Sequence, residues 1–271
     1  MSEVYSFKKL LFNRKMHYNY DLNINQYSLI SSFIYTYFSA KQNLINIYEI
    51  GSRDCADAFL LDTLLSKRFN VNIHCFDAHD KFLELSNPFA LATPNIKRYN
   101  YALGYKTEKI TFFQTDTDEN NKNGLNDRGI GASSLKEPVL NLEKLPTKSF
   151  NSVEVDCFKA ADKIDEIGVP DVLILDVQGA ELDVLRGFDD HLRNSQLIFM
   201  ECNIKKNMVY KEDVGVFEVA DFLKRKGFRL IKVYNVSKYS CDCVFSQRKN
   251  LNRLLPFVAF TKLLTLSNLR S

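Results

Sequence analysis

The chain has 271 residues, 45% of them hydrophobic, and a formal net charge of +3, which suits one large domain with a sizeable core. Its basic residues are scattered, so no footprint for nucleic acid is evident. No apolar run reaches the roughly 18–20 residues of a spanning helix, and no apolar leader follows the first basic residues, so a cytoplasmic protein is expected.

In chain order, residues 1–44 read as an N-terminal helical extension. One helix is expected over 25–40, with Leu29, Phe33, Ile34, Tyr37 and Phe38 on its apolar stripe. Residues 45–246 alternate in type: strand 44–50, helix 54–67, strand 71–76, short helix 80–85 and strand 96–101. A strand at 109–114 and a polar loop at 116–131 follow, then a strand at 153–158 whose Glu154 and Asp156 point outward. The run 172–177 is apolar but for Asp176, as a strand buried on both faces should nearly be. Helix 179–188, strand 197–201, helix 214–227 and a strand pair at 228–234 and 241–245 complete the domain. Residues 247–271 form an amphipathic basic tail. It is expected to pack on its own domain or on a second copy in a homodimer, with peripheral membrane contact as the alternative. The six cysteines, at 55, 75, 157, 202, 241 and 243, sit mostly in apolar runs and read as buried, reduced thiols.

Alternating strands and helices imply a parallel α/β sheet with right-handed crossovers. The chemistry then gathers at strand ends. Glu49-Ile50-Gly51-Ser52-Arg53-Asp54 closes the first strand, and Phe76-Asp77 closes the next. Such a turn lets backbone approach a nucleoside, and the second carboxylate can accept from ribose hydroxyls. Arg53 and Cys55 stand where a dinucleotide fingerprint needs glycine and small residues, which argues against a pyrophosphate and hence against an NAD-type oxidoreductase. An acid two residues before the glycine suits a ligand with a cationic amino-acid end, such as S-adenosyl-L-methionine. Ser52 and Arg53 share the turn, and Asp54 is expected to cap the next helix.

The segment Leu173-Ile174-Leu175-Asp176-Val177-Gln178-Gly179-Ala180-Glu181, followed by Val184-Leu185-Arg186-Gly187-Phe188, resembles the signature of FkbM-type S-adenosylmethionine-dependent O-methyltransferases. The likeness extends in order over residues 46–246, through Asn100-Tyr101-Ala102-Leu103-Gly104 and Gly131-Ala132-Ser133-Ser134-Leu135. The chain departs from the pattern at Ile174, where a lysine is common, at Cys55, which replaces a glycine, and at Asp77, which replaces a glutamate.

The resemblance implies a class I methyltransferase fold, a seven-stranded Rossmann-like sheet with one antiparallel strand and helices on both faces. It also implies methyl transfer to a hydroxyl of a sugar, glycan or small metabolite. Glu49 and Gly51 would hold the methionine end, Asp77 with Ala78 the ribose, and Asn100, Tyr101 and Ala102 the adenine. Asp176, at cofactor and acceptor alike, is the expected base, with Glu201 as partner; the pair also suits a divalent cation such as Mg. His79 is an alternative base on what reads as an exposed loop. Ser133 and Ser134 are expected to line the acceptor pocket under a lid at 116–131. A non-catalytic binding module on the same fold is the remaining alternative.

Overall fold

The computed structural model describes residues 24–38, 44–116, 131–139 and 149–247. The expected lid at 116–131 and the basic tail therefore lie, but for their end residues, outside the described residues. Seven strands form the main sheet: β1 (Ile45–Ile50), β2 (Val71–Phe76), β3 (Ile96–Tyr99), β7 (Val172–Leu175), β8 (Leu197–Asn203), β9 (Phe228–Tyr234) and β10 (Ser240–Gln247). Their order is β3-β2-β1-β7-β8-β10-β9. All pairings are parallel except those of β10, which runs antiparallel to β8 and β9. This is the expected sheet. The strand order reverses between β1 and β7, and the crevice beyond their carboxyl ends is where an open α/β sheet holds its ligand.

Strand periodicity sorts the core into two layers. Ile45, Ile47, Ile73, Val172 and Ile174 face one side, against α1 (Ile24–Tyr37) and α2 (Ala56–Leu65). Tyr48, Ile50, Leu173 and Leu175 face the other, against α6 (Glu181–Gly187) and α7 (Val216–Arg225). The same alternation directs Glu49 toward α1. That helix buries Tyr27, Ile30, Phe33, Ile34 and Tyr37, at the i, i+3, i+7 spacing of an inward stripe. Phe33 meets Phe199 edge to face at 5.9 Å, and the Tyr35 hydroxyl donates to Leu64 O at 2.8 Å. The N-terminal helix is thus built into the core of the sheet domain.

Two features differ from the sequence reading. The expected strand 96–101 is two strands: β3 ends at Tyr99, and β4 (Ala102–Gly104) leaves for a second sheet of order β4-β6-β5, with β5 (Glu108–Thr115) and β6 (Phe150–Lys159). The break falls at Asn100, whose Nδ2 donates to the carbonyls of Asp77 and His79, each at 2.9 Å. Pro88–Ala92 is a short helix, α4, after α3 (Phe82–Leu85); its proline occupies the first turn, where no N–H is needed. A single helical turn, α5 (Ile164–Ile167), lies between β6 and β7. The small sheet is tied to the large one through α6: a Cβ on Gly187 would stand 1.8 Å from Gly104 O, so only glycine permits this approach. All six cysteines are free and buried, as expected.

Candidate active site

A cavity of about 320 Å³ lies at the carboxyl ends of β1, β2, β7 and β8, walled by Tyr27 of α1 on one side and by Gly131, Ser133 and Leu135 on another. The turn after β1 forms its floor. Gly51 adopts φ +86°, and a Cβ there would lie 1.9 Å from Asp176 O. Its N–H and that of Ser52 donate to Phe76 O at 2.9 and 3.1 Å, and Ser52 Oγ donates to Glu49 O at 2.7 Å. Arg53 and Cys55 also take positive φ, 56° and 58°. The Arg53 amide is thereby aimed at Asp77 Oδ2, 2.9 Å away. Asp54 Oδ1 accepts from the N–H of Ala56, the first residue of α2, at 3.2 Å, but the N-cap position is Cys55, so Asp54 stands one residue before the expected cap. Cys55 is fully buried and does not line the cavity.

Glu49 is the unusual group. Only 3% exposed, it accepts from the Tyr27 hydroxyl at Oε1 (2.6 Å) and faces the Cys75 thiol at Oε2 (3.6 Å). Among the described residues it has no ion-pair partner. Burial, reinforced by the negative charge of Asp57, pushes its carboxyl up to about 8, against the lowering effect of the Tyr27 and Cys75 hydrogen bonds. A cation entering the cavity beside this buried acid would favour its ionised form. Asp77 accepts at both oxygens, from Arg53 N and from His79 N, each at 2.9 Å. Burial pushes its carboxyl above the ordinary range despite these two donors. Each oxygen keeps a lone pair for a ligand hydroxyl.

Across the cavity, Gln178 Nε2 donates to Asp176 Oδ1 at 2.6 Å and to Glu201 Oε2 at 3.2 Å. The Tyr210 hydroxyl shares its single proton between Ala132 O at 2.9 Å and Gln178 Oε1 at 3.0 Å. Gln178 itself has φ 54°, and Ser134 Oγ donates to its carbonyl at 2.7 Å. Asp176 is exposed to the cavity, and desolvation by its walls raises the carboxyl above the ordinary range, with the Glu201 charge adding to the effect. Glu181, in the first turn of α6, accepts from Val177 N at 3.2 Å and Gly179 N at 3.1 Å. It thereby holds the β7–α6 loop, and burial raises it to about 7.

Of the expected site residues, Glu49, Gly51, Ser52, Arg53, Asp77, Ala78, Tyr101, Ala102, Asp176 and Glu201 all border the cavity, and so does Ser133. Three do not. Asn100 braces the turn after β2 from outside. Ser134 lies behind Gln178. His79 is not on an exposed loop but 1% exposed, with Nε2 3.2 Å from Thr115 O and Nδ1 3.2 Å from Lys81 N and 3.1 Å from Asp80 Oδ1. It shapes the turn and stands outside the cavity. Among the described residues no three His, Cys, Asp or Glu side chains are grouped to hold a metal ion. Sequence reasoning does not reach Tyr27, Gln178 and Tyr210 as site residues. Tyr27 carries a readable signal, a polar-tipped aromatic at the start of an otherwise apolar helical stripe.

A family model described as the methyltransferase FkbM domain matches residues 68–230. No curated protein sequence matches the chain. Among solved structures, the methyltransferase FkbM from Methylobacillus flagellatus KT aligns with a TM-score of 0.47 at 11% identity, over 77% of this chain and 44% of that one. The chain thus spans less than half of that protein's length. A precorrin-6y C5,15-methyltransferase from Geobacter metallireducens GS-15 aligns with a TM-score of 0.45 at 10% identity, over 82% and 86% of the two chains. The magnesium protoporphyrin IX methyltransferase from Synechocystis PCC 6803, solved with bound SAM, aligns with a TM-score of 0.43 at 10% identity, over 83% and 79%.

Proposed function

The chain belongs to the FkbM methyltransferase family, and from that premise we propose that it is an S-adenosylmethionine-dependent O-methyltransferase whose acceptor is a hydroxyl of a sugar, glycan or small metabolite. The observation that carries the reading is Glu49, a buried carboxylate at the wall of the cavity with hydrogen-bond donors but no cation among the described residues. The amino-acid end of S-adenosylmethionine would meet it there. Asp77, fixed by two backbone amides, would accept the ribose hydroxyls, with Ala78, Tyr101 and Ala102 beside the base. Gly51 lets the turn after β1 pack against the β7 backbone at Asp176 O, where no side chain would fit.

When bound, S-adenosylmethionine supplies a methyl group made electrophilic by its sulfonium. The protein must then align the acceptor and remove its proton, because a neutral hydroxyl is a poor nucleophile. Asp176 suits that role, since a carboxylate raised above the ordinary range is a stronger base near neutral pH. Gln178 orients it, and Glu201 keeps its affinity for the proton high. We assign this pair to proton transfer and acceptor binding rather than to magnesium, because one amide nitrogen donates to both carboxylates.

The test is transfer of labelled methyl from S-adenosylmethionine to a panel of sugars, glycans and hydroxylated metabolites. Labelling of an acceptor oxygen by the wild type is expected, with a loss of about 100-fold or more in Asp176→Asn while S-adenosylhomocysteine still binds. Labelling that is indifferent to Asp176 would remove the assignment of the base.

A further inference from the structure

Glu49 does not stand alone at its end of the cavity. The pleat of β1 turns it to the same face as Ile45 and Ile47, the face covered by α1. There the Tyr27 hydroxyl, on a side chain only 6% exposed, reaches Oε1 at 2.6 Å across 22 residues of sequence. Tyr27 and Gln26 both border the cavity. Neither belongs to the segment matched by the family model, which begins at residue 68. The helix that carries them is anchored independently of this contact, through Phe33 on Phe199 and Tyr35 on Leu64. Tyr27 is therefore presented to the site by a rigid element.

We infer that α1 is part of the cofactor site and that Tyr27 is a positioning residue, its hydroxyl holding the Glu49 carboxyl in the orientation that meets the ammonium of the ligand's amino-acid end. The inference rests on the cofactor reading above. A carboxyl can turn about its last bond, and a ligand ammonium needs one oxygen fixed in place. Tyr27 fixes Oε1. The Cys75 thiol on β2 lies against Oε2, Asp54 and Asp57 act on the same carboxyl from α2 and its lead-in, and Arg53 on the adjoining turn pairs with both of those acids. Tyr27 and Cys75 are thus the neutral donors in a cluster otherwise rich in acids, and the tyrosine makes the shorter bond. Its loss leaves Glu49 both less ordered and harder to ionise.

The experiment compares two ligands by calorimetric titration. S-adenosylhomocysteine carries the amino-acid end, whereas 5′-methylthioadenosine has the same nucleoside and thioether without it. Tyr27→Phe, which removes one oxygen and keeps the ring, is expected to weaken S-adenosylhomocysteine about tenfold or more, the usual scale for a hydrogen bond to a charged group. Its affinity for methylthioadenosine should stay within about twofold. The double variant with Glu49→Gln should show no further loss from Tyr27→Phe, because the tyrosine acts through the carboxyl. Equal weakening of both ligands, or none, would show that Tyr27 only supports the fold. Failure of the wild type to bind either ligand would instead overturn the cofactor reading, and this inference with it.

Discussion

Asp176, Gln178 and Glu201 illustrate how one amide can set the chemistry of two acids. The Glu201 charge helps hold the Asp176 proton, while the Gln178 donor favours its release. The two effects have opposite signs, so they can be separated. With Asp176 as the proposed base, turnover should fall as pH drops through a value above the ordinary carboxylate range. Glu201→Gln removes a negative neighbour and should move this acidic limb to lower pH by roughly one unit. Gln178→Ala removes a donor to the ionised form and should move it upward by a similar amount. pH–rate profiles for labelled methyl transfer by the two variants check this. Shifts in the same direction would mean that Asp176 is not the group being titrated.

At the scale of elements, the β1–α2 turn is the most constrained part of the site. In five residues it places Gly51, Arg53 and Cys55 at positive φ, a costly arrangement for the two that are not glycine. Its hydrogen bonds to Phe76 O and Asp77 join β1 to β2, and the Gly51–Asp176 approach joins it to β7. Gly51→Ala should therefore cost about 1–3 kcal/mol of stability and abolish S-adenosylhomocysteine binding, because Asp176 O must move to make room. Chemical unfolding with a parallel titration tests this; a variant that binds normally would show that the close approach is not needed.

Elements with strong local periodicity are legible from sequence. Val71–Phe76 is found where expected, and the strand expected over 172–177 is Val172–Leu175, buried on both faces and ending one residue before the acid it delivers to the cavity. What cannot be read depends on contacts between distant segments. The strand expected through Tyr101 breaks because Asn100 is held by carbonyls more than 20 residues away. The Tyr27–Glu49 and Tyr210–Gln178 pairs span 22 and 32 residues. No helical or strand repeat encodes such pairs.

For the whole molecule, sheet reversal, cavity and carboxylates converge on one crevice, and its function turns on the ligand it holds. Strands β1, β2 and β3 run outward on one side and β7, β8, β10 and β9 on the other. The acids on or just beyond the strands and in the first turn of α2 leave the cavity with Glu49, Asp57, Asp77, Asp176 and Glu201 around a single arginine, Arg53, among the described residues that border it. That balance suits an ammonium and a sulfonium and opposes a pyrophosphate. The most direct test is calorimetric titration of the folded protein with S-adenosylhomocysteine and, separately, with NAD, in the wild type and in Asp77→Ala. Micromolar binding of the thioether, lost in the variant and absent for NAD, is the predicted result. Binding of NAD in its place, or no binding of the thioether, would contradict the assignment of this crevice to S-adenosylmethionine.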